Sequence, residues 1–304
     1  MQTEPARPPL GHREDIGGHH HIAVHRTENN GPSVVFLPGA GLVGLDYWNV
    51  HEHIASFASS LIYDRAGTGW SDDTVLPRTA EAVARELRQL LHATNASGPH
   101  LLVGHSLGAF YARRFAQLFP DEVAGLLLLD PGHEDILDHM PPEAAELNEQ
   151  LKPDLDALPD LTDEQIEIAR GQYRDIYSAW PDVLRDQLID HHLTNWRTQL
   201  HEVVNLEGDV YNELRTGGAL PDVPLTVLTA GGRNLYWAGF LTEEQMRRAH
   251  DGVTSLHTAM AASVPRGEHR ILDGASHQYL HIEQRDAAAT AVRDLLDRAD
   301  GGPG

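Results

Sequence analysis

The chain has 304 residues, 41% of them hydrophobic, enough apolar material for one large domain with an insertion or for two smaller domains, and too much for a disordered chain. It has no cysteine, which excludes disulfides, a thiol nucleophile and cysteine-ligated metal. A formal net charge of -22 repels nucleic acid and anionic membrane surfaces, so neither is an expected partner, and acidity of this kind chiefly serves solubility; composition carries no signal for oligomeric state, and a small-molecule substrate is the partner left to expect.

Residues 1–16 are polar and proline-rich and read as a loose tail. Met1 to Pro9 lacks the apolar run of a secretory leader, and no segment reaches 18 consecutive apolar residues, so a soluble cytoplasmic protein is expected. His20 to Arg26 alternates weakly, as an early strand does. The triplet His19-His20-His21 is too small to assign metal binding, and no metal site is expected.

Ser33 to Leu37 is a short β-branched apolar run that stops at Pro38-Gly39, the pattern of a buried strand. Leu61 to Asp64, His100 to Val103, Val123 to Leu129, Pro224 to Thr229 and His269 to Leu272 repeat it. Unbroken apolar strands suit a parallel sheet covered on both faces. Between them, Val83, Leu87, Leu90 and Leu91 keep helical spacing, as do Ala288, Val292, Leu295 and Leu296. The alternation predicts an α/β fold with a doubly wound, mostly parallel sheet.

From His133 to Leu220 the alternation stops. This stretch has no convincing strand, 20 acidic against 6 basic residues, and proline breaks near Pro153, Pro159 and Pro181. It predicts a helical lid of about four helices over residues 133–220, inserted in a core of residues 17–132 and 221–300. The aromatics Tyr173, Tyr177, Trp180 and Trp196 are expected to line the substrate pocket.

The strongest chemical signal is Gly104-His105-Ser106-Leu107-Gly108, a G-x-S-x-G run between the apolar strand Leu101 to Val103 and the helix Phe110 to Phe119. A serine on such a sharp strand-to-helix turn projects its hydroxyl from the sheet, and glycines two positions either side remove clashing Cβ atoms. Serine is a weak nucleophile and needs a base. His277, just past the last strand, is the expected base. The imidazole in turn needs an acid to set its tautomer. The loop after Pro224 to Thr229 reads Ala230-Gly231-Gly232-Arg233-Asn234 and holds no carboxylate, so the expected acid is Asp130, where the preceding strand ends, with Glu134 and Asp135 as alternatives. The oxyanion hole is expected from the N–H groups of Leu107 and of Ala40, in the small-residue loop Pro38-Gly39-Ala40-Gly41.

These motifs, in this order, resemble the α/β-hydrolase superfamily in its capped esterase-like and peptidase-like branch, over about residues 30 to 130 and 220 to 296. Tyr63-Asp64-Arg65-Ala66-Gly67-Thr68-Gly69-Trp70-Ser71 looks like that branch's loop after the second core strand. Two positions depart from the family: Pro38, where histidine is common, and Asn234, where the acid is often aspartate. The resemblance implies an α/β-hydrolase fold with a helical lid insertion and a serine hydrolase that cleaves a small or medium ester, lactone or thioester through an acyl-enzyme. Alternatives are an amide-cleaving aminopeptidase of the same fold, and a non-hydrolytic cyclase, acyltransferase or ligand-binding member. His133-Glu134 lacks a histidine at 137, and no phosphate-loop Gly-Lys-Ser/Thr exists, so no cofactor is expected.

Overall fold

A computed structural model describes residues 7–29, 31–96, 98–150, 152, 154–234, 239–299 and 301. Eight strands form one sheet in the order β1-β2-β4-β3-β5-β6-β7-β8. They are β1 (His12–Asp15), β2 (His21–Thr27), β3 (Ser33–Leu37), β4 (Ser59–Tyr63), β5 (His100–His105), β6 (Val123–Leu129), β7 (Leu225–Ala230) and β8 (Gly267–Leu272). Strands β3 to β8 run parallel; β1 and β2 join antiparallel. The chain therefore has the doubly wound, mostly parallel α/β architecture.

The tail reading needs correcting at residues 12–15. His12 pairs with Val24 and Asp15 with His21, making β1 an edge strand. A turn through Gly17 and Gly18, both at positive φ, closes the hairpin with Ile16 N–H donating to His20 O at 2.9 Å. An edge strand needs no apolar face, so a polar His-Arg-Glu-Asp run gave no periodic signal.

Helices cover both faces. On one, α2 (Ala80–Ala93) and α3 (Leu107–Leu118) bury Val83, Leu87, Leu90 and Phe115 against β3, β4 and β6. On the other, α1 (Trp48–Ala55) and the C-terminal helix Arg285–Ala299 bury Val50, Ile54, Val292 and Leu295. This two-sided cover is why the central strands read as continuous apolar runs.

Between β6 and β7 the described residues form only helices and turns. They are α4 (Ile136–His139), α5 (Pro142–Gln150), a 3-10 turn Leu155–Ala157, α6 (Asp163–Ile176), α7 (Asp182–Thr194), α8 (Thr198–Val203), a π-helical turn Leu206–Val210, and α9 (Tyr211–Thr216). Pro181 is the residue before α7, Pro159 lies between helices, and Pro153 is outside the described residues. Among the described residues between β7 and β8, α10 (Glu243–Ala261) is the helix. Its start is set by Thr242 and Gln245, whose side chains cap one another's backbone N–H groups. No helix among the described residues is long and apolar enough to cross a membrane.

Candidate active site

Strand β5 ends at His105, and the chain turns sharply into α3 at Ser106, whose φ is 50° and ψ -114°. That conformation is strained for a non-glycine residue and is held from both sides. Ser106 N–H donates to Leu129 O at 3.1 Å, and Ser106 O accepts from Gly132 N–H at 3.2 Å. The flanking glycines are required by contact. A Cβ at 104 would lie 2.8 Å from Ala109 Cα, and one at 108 would lie 2.0 Å from Leu37 O. Helix α3 thus presses against the end of β3, bringing the N-terminal end of a helix to the Pro38–Gly41 loop.

Asp130 is the first residue past β6 and also sits at positive φ, 39°. Its backbone N–H donates to Leu228 O at 2.7 Å, and its Oδ1 accepts from Ala230 N–H at 3.0 Å. Its Oδ2 accepts from His277 Nδ1–H at 2.5 Å, which leaves Nε2 as the acceptor for the Ser106 hydroxyl at 3.0 Å. The structure thereby brings Ser106, His277 and Asp130 into one line. Burial pushes the His277 imidazole down, but the hydrogen bond and charge of Asp130 outweigh it, and its pKa lies above the ordinary value. Burial likewise pushes the Asp130 carboxyl up, and the His277 hydrogen bond and charge, with His257 and Ala230 N–H, hold it below.

The alternative acids are turned elsewhere. Glu134 makes a bidentate pair with Arg113, both contacts at 2.7 Å, and Asp135 pairs with Arg215 at 2.9 Å. The N–H groups of Ala40 and Leu107 donate to no acceptor among the described residues.

Four residues whose roles sequence reasoning missed, Glu202, Arg65, Tyr47 and His105, support this line. Glu202, from α8, is buried against Arg65: its Oε1 accepts from Arg65 Nη2 at 2.7 Å and its Oε2 from Gly41 N–H at 2.7 Å. Arg65 also donates to Pro38 O at 2.7 Å and Gly39 O at 3.0 Å. A buried ion pair therefore clamps the Pro38–Gly41 loop to the insert. Tyr47 and His105 form a second tie. His105 Nε2–H donates to His277 O at 2.8 Å, so its Nδ1 accepts from Tyr47 Oη–H at 2.7 Å, and Tyr47 Oη accepts from Gly39 N–H at 3.1 Å. Burial, with the charges of His281 and His277, keeps His105 neutral, its pKa well below 6.5.

A cavity of about 410 Å³ opens beside Asp130 and His277, lined among others by Ile136, Asn234, Met246, His250 and Val253. None of the four insert aromatics lines it. The pocket assignment is corrected for Tyr177 and Trp180, which are 1% and 3% exposed. Tyr177 donates to Asp46 Oδ1 at 2.5 Å, and Trp180 Nε1–H donates to Leu45 O at 2.9 Å. Tyr and Trp each carry one polar atom that must find a partner when buried, and here the Gly44–Tyr47 turn supplies it. Tyr173 stacks on Tyr177 and His192, and half-buried Trp196 lies under the Arg197 guanidinium at 4.4 Å.

Residues 34–291 match the alpha/beta hydrolase family. The chain belongs to the α/β-hydrolase family. This α/β-hydrolase is 33% identical to an uncharacterised Bacillus subtilis protein over 111 residues, which span 36% of the chain and 44% of that relative's length. It is 27% identical to an esterase of Mycobacterium tuberculosis over 289 residues, 91% of the chain and 86% of the relative. Among solved structures, a thermophilic esterase from Thermogutta terrifontis superposes with a TM-score of 0.61 at 20% identity, covering 92% of the α/β-hydrolase chain and 94% of its own.

Proposed function

We propose that this chain is a serine esterase that cleaves a small or medium carboxylic ester, lactone or thioester through an acyl-enzyme. The observation that carries the proposal is the line from Asp130 through His277 to Ser106, at 2.5 Å and 3.0 Å, ending on a strained elbow. In the reaction, Ser106 Oγ attacks the substrate carbonyl as His277 Nε2 takes its proton. The N–H groups of Leu107 and Ala40 receive the developing oxyanion. His277 returns the proton to the leaving alcohol or thiol, then takes one from the water that releases the acid. Similarity to an esterase over most of both chains supports an ester as the bond.

The acidic insert gives little support to aminopeptidase activity, because Glu134, Asp135 and Glu202 are each engaged by an arginine. The test is labelling with a fluorophosphonate and turnover on matched esters, thioesters and aminoacyl amides. Wild type is expected to label and to hydrolyse esters, while Ser106→Ala does neither. Equal labelling of both proteins removes Ser106 as nucleophile, and faster turnover of the amides removes the esterase reading.

A further inference from the structure

A second cluster of chemically capable side chains lies where β2 meets α1, apart from the proposed reaction. His25, His51 and Glu52 place their donor atoms within 4.8 Å of one another. Strand β2 buries Ile22 and Val24 on one face and turns His25 to the other, towards α1. Helix α1 presents His51 to the same space, with Glu52 beside it at the exposed margin. The rings of His25 and His51 meet edge to face, with centroids 5.1 Å apart.

His51 is the decisive residue. It is fully buried, and its Nδ1 lies 2.7 Å from Ser60 Oγ. Its Nε2 is also buried and has no hydrogen-bond partner among the described residues, with Glu52 Oε1 4.0 Å away. An orphaned buried ring nitrogen is costly. It is accounted for if Nδ1–H donates to Ser60, which fixes the tautomer and leaves the Nε2 lone pair facing His25 and Glu52. A histidine held by an outer hydrogen bond with its other nitrogen free is the arrangement of a metal ligand.

We propose that His25, His51 and Glu52 bind a divalent zinc-class cation that staples β2 to α1. Two imidazoles and one carboxylate are a donor set suited to zinc, with a fourth position for water. Ligand atoms around tetrahedral zinc lie about 3.3 Å apart, given metal–ligand bonds of about 2.0–2.1 Å. Closing from the observed spacing asks movement only of the half-buried His25 and exposed Glu52 side chains. This site revises the expectation of no metal, and it lies in none of the motifs that pointed to hydrolysis.

The test uses the full chain without an affinity tag, stripped with chelator and titrated with Zn²⁺. Bound metal is measured by elemental analysis after gel filtration, and melting is followed in parallel. Wild type is expected to retain one equivalent and to melt several degrees higher with zinc, and Mg²⁺ should do neither. His25→Gln and Glu52→Gln, at the more exposed ligands, should fold and bind zinc at least about tenfold more weakly. Ser106→Ala should bind like wild type, which separates this result from the fate of the esterase reading. Failure of wild type to retain zinc overturns the site. So does undiminished retention by both ligand variants, which would assign the metal to other histidines such as His19 to His21.

Discussion

Asp130 sets which nitrogen of His277 carries the proton, and it raises the affinity of that ring for a second one. Under the proposed reaction His277 must be neutral to act as base, so kcat/KM should fall as pH drops through its pKa, which lies above the usual 6.5. Asp130→Asn removes the charge that raises the value, so the acidic limb should move to lower pH while turnover falls about 10⁴-fold. Glu134→Gln should leave the position of the limb unchanged, since Glu134 is held by Arg113. A pH–rate profile of the three proteins checks this, and an unmoved limb in Asp130→Asn would take the acid's role from that residue. The juxtaposition of Ser106, His277 and Asp130 was legible in the sequence because Ser106 and Asp130 directly follow β5 and β6 and His277 lies in the loop after β8. The role of Glu202 was not, because its partner Gly41 lies 161 residues away and α8 itself carries no motif.

At the scale of elements, the insert is fastened to the core by polar tips of large aromatics. Trp180 fills the space against Val43, Leu45 and Leu188, and its one N–H is satisfied by a core carbonyl. Trp180→Ala should therefore cost about 3–5 kcal/mol of stability and leave the ranking of ester substrates unchanged. Thermal or denaturant melting, with kcat/KM on three acyl-chain lengths, separates this from a pocket role, which would change the ranking at constant stability. The aromatics were misread because helical spacing gives the face a residue occupies but not what covers that face. Helix α10 was missed for a related reason. Its interior is mostly polar, with Ala249, Leu256, Met260 and Ala261 among its few buried apolar positions, and its clearest signal is the Thr242–Gln245 cap. The sheet was legible because burial on both faces produces apolar runs, whereas β1, at an edge, owes its place to a turn and a neighbour.

Across the whole molecule, a chain with 20 histidines buries several of them uncharged. Burial pushes His51 down to about 3, and His100 and His281 to about 4. In the unfolded chain each titrates near 6.5. Their contribution to stability is thus complete above pH 6.5 and is lost as pH falls towards 4, with about one proton taken up per imidazole on unfolding. Asp64, raised by burial to about 6, and His277, raised above 6.5 by Asp130, work the other way, but His133 and His191, also pushed down to about 4, add to the three. The metal-free protein should melt at steadily lower temperature from pH 7 to pH 4.5, and His281→Gln should flatten the slope. A melting temperature constant over that range would show that these imidazoles are solvated.

Where the carboxylate sits has a consequence for how such a protein diversifies. Under the proposed reaction, protons pass between Ser106 past β5, His277 and Asp130 past β6, and the residues described on the connection from β7 to α10 supply no group to that line. Arg233 and Asn234, on that connection, border the cavity without belonging to the proton path. Selection can then recompose these positions, and lengthen the connection, without first having to preserve an acid there. Reactivity and taste for substrate become separately heritable, and a library randomised at Arg233 and Asn234 is a place to look for new acyl preferences at undiminished reactivity towards a fluorophosphonate.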